Sequence, residues 1–103
     1  MKDDKYIFCS VMVVYSSRCK NEKSTKGSIL FSDNIKFNYS LKGTNRNYRY
    51  EGKEDKNGRI HLKEEDGEEL ILFQINPLFF IGYWKHKKNK EEGFIKVELN
   101  GTI

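Results

Sequence analysis

Tyr6-Ile-Phe-Cys-Ser-Val-Met-Val-Val-Tyr15 is the stretch on whose reading the fold turns. As a β-strand it puts Ile7, Cys9, Val11, Val13 and Tyr15 on one face and Phe8, Met12 and Val14 on the other. As a targeting segment, Ile7 to Val14 is an apolar core within the usual length of about 7–15 residues. It is too short to cross a bilayer as a helix, which takes about 20 apolar residues. Periodicity does not separate these readings, because a strand that is apolar on both faces shows no alternation. In the first reading the segment is a core strand of a cytosolic β-domain. In the second it is removed on export, with ordinary cleavage after Ser16 as one version of that route.

Beyond this stretch the chain alternates with period two, and no sustained helical stripe follows residue 28. Ile35, Phe37, Tyr39 and Leu41 alternate with Lys36, Asn38 and Ser40. Tyr48 and Tyr50 flank Arg49, and Ile60 and Leu62 alternate with Arg59, His61 and Lys63. Ile95, Val97 and Leu99 do the same against Lys96 and Glu98. Turn signals separate these runs, the strongest being Asn57-Gly58, where both residues tolerate positive φ. Asn76-Pro77 breaks another run, because proline cannot donate to a ladder. The spacing predicts an all-β fold, an antiparallel meander of six or seven strands forming a small barrel or half-barrel. The domain boundaries expected are 1–18 for a signal peptide, 19–28 for a polar tether and 29–103 for the β-meander.

Ser16-Ser17-Arg18-Cys19, followed by the polar tract Lys20-Asn21-Glu22-Lys23-Ser24-Thr25-Lys26, resembles the processing site of bacterial lipoproteins. Arg18 stands where such signals carry Gly, Ala or Ser. The resemblance implies lipidation at Cys19, a membrane partner held through that anchor, and residence in the cell envelope of a Gram-negative bacterium. A second resemblance covers roughly residues 35–99. Tyr48-Arg-Tyr50, Gly58-Arg-Ile-His-Leu62 with Glu64, Phe80-Ile-Gly-Tyr-Trp84 and Phe94 with the strand to Leu99 resemble a pattern in small secreted β-barrel domains of bacteria. It implies a calycin-like meander and no particular activity.

Composition narrows the function classes. The chain has 103 residues, enough for one domain with a thin core, and a net charge of +4 on 33% charged residues. A surplus that small and mixed in sign is weak evidence for nucleic acid, and no nucleic-acid partner is expected. Cys9 and Cys19 form no Cys-x-x-Cys pair and no zinc spacing with the histidines. His61 and His86 read as solvated side chains, and no nucleophile stands near them in a motif spacing. The acids Glu64, Glu65, Asp66, Glu68 and Glu69 around Gly67 lack the calcium-loop pattern and read as a charged hairpin tip. Lys85-His86-Lys87-Lys88-Asn89-Lys90 reads as a solvated hairpin loop. No catalytic residue, metal site or cofactor is expected.

One feature points to a working surface. Leu70 and Leu72 oppose Ile71, Phe73 and Ile75, while Phe80 and Trp84 oppose Phe79, Ile81 and Tyr83. A small meander cannot cover both faces, so a partner protein or a small apolar ligand is expected on one. Tyr50, Tyr83 and Trp84 are the candidate contacts, since aromatics combine large area with a polar tip. The function expected is an exported, lipid-anchored, non-enzymatic binding protein. The alternatives are a periplasmic inhibitor of a cell-wall hydrolase, or the cytosolic β-domain with residues 6–16 as a core strand.

Overall fold

Period-two patterning becomes eight antiparallel strands in a computed structural model that describes residues 6–15, 22–40, 47–88 and 91–102. They are β1 Tyr6–Tyr15, β2 Glu22–Leu30, β3 Ile35–Ser40, β4 Asn47–Glu54, β5 Ile60–Lys63, β6 Glu68–Asn76, β7 Phe79–His86 and β8 Glu92–Thr102. Each pairs with the next, and β8 pairs with β1, so the meander closes into a barrel. Among the described residues every strand has a ladder on both sides, which limits the free edge that another chain could pair with. The fold is all-β, antiparallel and closed, with eight strands where the sequence predicts six or seven.

The added strands come from the two segments that sequence alone leaves ambiguous. Residues 6–15 form β1, paired from Tyr6 to Val14 with β2 and from Ile7 to Tyr15 with β8. Cys9, Val11 and Val13 point into the core, each no more than 2% exposed. Residues 22–30, expected largely as tether, form β2. The polar look of β2 has a packing cause. Gly27 lies opposite both Cys9 and Tyr39. A Cβ on Gly27 would stand 2.4 Å from the Asn38 carbonyl oxygen and 2.9 Å from Tyr39 Cβ. The inner row there has no room for a large apolar residue, so the apolar alternation that marks other strands is missing.

Side chains fill the interior, as expected of a small barrel. Ile29, Phe37, Tyr50, Leu62, Leu70, Leu72 and Val97 are all 1% exposed or less. The rings of Tyr39 and Tyr48 stack at 5.0 Å, and Phe37 stacks on Tyr50 at 5.9 Å. The Tyr50 hydroxyl donates to Glu68, a carboxylate buried inside the wall. That bond satisfies a group that would be costly to bury unpaired. Gly82 faces inward opposite Leu72 and Ile95. A Cβ there would stand 2.4 Å from the Ile71 carbonyl oxygen, so backbone approaches too closely for a side chain at this position.

Candidate functional site: the outer face of β6, β7 and β8

Alternation decides which apolar residues of β6 and β7 remain outside. Leu70, Leu72, Phe80 and Trp84 point inward and are buried. Phe73, Ile81 and Tyr83 point outward, at 41%, 45% and 36% exposure. Strand register then assembles rows across the outer wall. Ile71 lies beside Tyr83, Tyr83 beside Phe94, and Phe94 beside Val14. One step along, Phe73 lies beside Ile81, Ile81 beside Lys96, and Lys96 beside Met12. Phe94 is 58% exposed, and its ring meets Tyr83 edge-on at 6.2 Å. A contiguous apolar surface on a small domain marks an interaction site more often than chance exposure does.

Charges of both signs frame this surface. Lys96 Nζ lies 5.9 Å from the centre of the Phe79 ring, within reach of a cation–π contact. Lys87 Nζ meets Glu69 Oε1 at 3.1 Å, and that bond holds the Glu69 carboxyl below its ordinary range. The Tyr83 hydroxyl donates to Glu92, and this carboxylate pushes the phenol above its ordinary value. Tyr83 is thereby oriented by its tip while its ring stays available.

The three aromatics singled out from sequence do not share a surface. Tyr83 is on the outer face. Tyr50 and Trp84 are inside, at 1% and 4% exposure, and act as core. Phe73, Ile81 and Phe94 complete the outer face. The opposed apolar parities on β6 and β7 already marked the first two in sequence, but Phe94 needs the β7–β8 register. Cys19, the lipidation candidate, lies outside the described residues.

Other chemistry-bearing groups have local work. Asp55 accepts hydrogen bonds from the amides of Asn57 and Arg59, from Arg59 Nε at 3.1 Å and from His61 Nε2 at 2.9 Å. This clasps the β4–β5 hairpin. His86 Nδ1 accepts from the Lys88 amide in the β7–β8 turn. Glu68, counted from sequence with the solvated acids, shares parity with Leu70 and Leu72 and is drawn inside. Burial pushes the Cys9 thiol up to about 12, against a smaller lowering by the Gly27 backbone bond. Such a thiol is not a nucleophile at neutral pH. Among the described residues, no three His, Cys, Asp or Glu side chains gather as a metal site. Comparison with protein-family models, with curated proteins and with solved structures gave no match.

Proposed function

We propose that the protein is a non-enzymatic binding barrel that docks a partner protein on the outer face of β6, β7 and β8. The observation that carries this reading is the exposure of Phe73, Ile81, Tyr83 and Phe94 on three adjacent strands. The frame favours a protein over an anionic membrane, because it mixes Lys87 and Lys96 with Glu69, Glu92 and Glu98. An apolar centre with a polar rim of both signs is the usual anatomy of a protein interface. A photo-crosslinking residue at position 81 should give one discrete adduct in the native host, and the same residue at position 53 should not. A Phe94→Lys change should remove the adduct while the barrel stays folded. Crosslinking equal at both positions, or none at 81, rejects the docking face.

The same proposal keeps residues 6–15 as β1, in line with the cytosolic alternative. Support comes from the two full-length ladders of this strand and its buried inner row. Processing ahead of Cys19 would leave seven strands, within the six or seven expected from sequence for a small barrel or half-barrel. It would also leave β2 and β8 as free edges. Export with a lipid anchor at Cys19 belongs to that processed form. Intact mass of the natively expressed protein distinguishes the two: a chain retaining residues 6–15 supports β1, and an acylated chain beginning at Cys19 overturns it.

A further inference from the structure

A half-open depression lies at one end of the barrel. Ile7, Phe31, Ile60, Pro77, Phe80 and Leu99 line an open mouth of about 320 Å³ there. This volume falls at the small end of ligand sites, which run from about 300 to 1,000 Å³. Ile7 and Phe31 pack against the core yet stay partly exposed, and both are at this mouth. Phe31 stacks on Phe80 at 5.9 Å, giving the mouth an aromatic wall.

Two polar side chains stand on its lip, both exposed, where the inner rows of β4 and β6 run out to solvent. Glu54 follows Tyr48, Tyr50 and Gly52 along the inner row of β4, opposite Ile60. Gln74 follows Leu70 and Leu72 along the inner row of β6, opposite Phe80. A carboxylate and an amide thus end two rows that are otherwise largely apolar or aromatic. Among the described residues lining the mouth, Glu54 is the sole charged one. The adjacent Asp55 is engaged by Arg59 and His61, so it does not set the sign of the lip.

We propose that this mouth binds small hydrophobic amines. The apolar body lies against Ile7, Phe31 and Phe80. The ammonium group meets the Glu54 carboxylate, with the Gln74 side-chain oxygen as a second acceptor. The site is separate from the outer face of β6–β8 and does not depend on docking there, but it rests on the reading that keeps β1, because Ile7 lines it. A fatty carboxylate of the same length would bring its charge against Glu54 and is disfavoured.

The test compares n-octylamine, n-octanol and octanoate on the full chain at pH 7 by calorimetry, with amide chemical shifts to locate binding. Octylamine should bind at least tenfold more tightly than octanoate and shift the signals of Ile7, Phe31 and Phe80. Glu54→Gln, an exposed change that leaves the core intact, should bring octylamine to the level of octanol. Octanoate binding as tightly as octylamine overturns the proposal. So does unchanged octylamine affinity in Glu54→Gln, or a shift pattern confined to Tyr83 and Phe94.

Discussion

Tyr83 and Trp84 are consecutive in the chain and face opposite sides of the barrel wall. Tyr83 is 36% exposed beside Phe94, while Trp84 is 4% exposed in the interior. The energetic consequences of changing this part of β7 therefore divide. Trp84→Ala should cost about 3–5 kcal/mol, the range for emptying a large aromatic site in a core. Ile81→Lys, on the outer row with Tyr83, should stay within about 0.5 kcal/mol of the parent. Urea denaturation measures both. Equal losses would mean that the two faces are wrongly assigned.

Gly82→Val places branched carbons where even a single Cβ would be 2.4 Å from the Ile71 carbonyl oxygen and 2.7 Å from Leu72 Cδ2. Backbone must move to admit it. The expected loss is about 1–3 kcal/mol, read as a lower urea midpoint with an unchanged slope. A midpoint equal to that of the parent would remove the close approach as a reason for glycine here.

Cys9 makes the barrel sensitive to alkali. Its thiol is raised from an ordinary 9.0 to about 12, first because burial strips its hydration. A group raised in the folded state contributes stability that is complete below its unfolded value and is lost as pH climbs through the folded one. Stability should therefore fall between pH 9 and about 12. Tyr50 acts in the same sense above 10.0, raised by burial, then by Tyr39 and Glu68. Cys9→Ala should flatten the decline in that window when melting temperature is followed against pH. Identical slopes in both proteins would show that the Cys9 thiol does not couple to folding.

Asp55 sets the acid side. Desolvation works to raise its carboxyl, but the bonds from His61, Arg59 and Asn57 and the Arg59 charge together hold it at about 2, below an ordinary 3.8. A depressed carboxyl contributes stability above its unfolded value and loses it as pH falls through the folded one. Melting temperature should drop from near pH 4 towards pH 2 in the parent. Asp55→Asn should lower it at pH 7 and lessen that acid slope. A variant that melts like the parent at pH 7 would show that the clasp on the β4–β5 hairpin is not stabilising.

Much of this was legible from alternation. Ile60 and Leu62 alternate inward against His61 and Lys63, and Asn57-Gly58 turns the chain. The outer face was legible in part, because apolar residues of both parities on β6 and β7 cannot all be core. Two things were not. In sequence Glu68 reads as one more solvated acid, because its neighbours are charged; the inner row of β6, with Leu70 and Leu72, draws it inside. Residues 22–28 looked like a tether, since the inner row of β2 needs Gly27 against Tyr39 and so carries no apolar mark.

By itself the sequence determined that this is an all-β antiparallel meander, because period two is a local property of the backbone and each turn is written in its own residues. Tertiary structure alone decided that the meander closes with eight strands. Closure depends on β1 pairing with β8 across almost the whole length of the chain, as Val11 does with Val97. No local pattern in residues 6–15 can state that partner, because the same apolar run satisfies a targeting segment and a strand alike. The pairing of Tyr83 with Phe94 and the meeting of Glu54 and Gln74 at one mouth are decided in the same way. They are consequences of register around a closed wall.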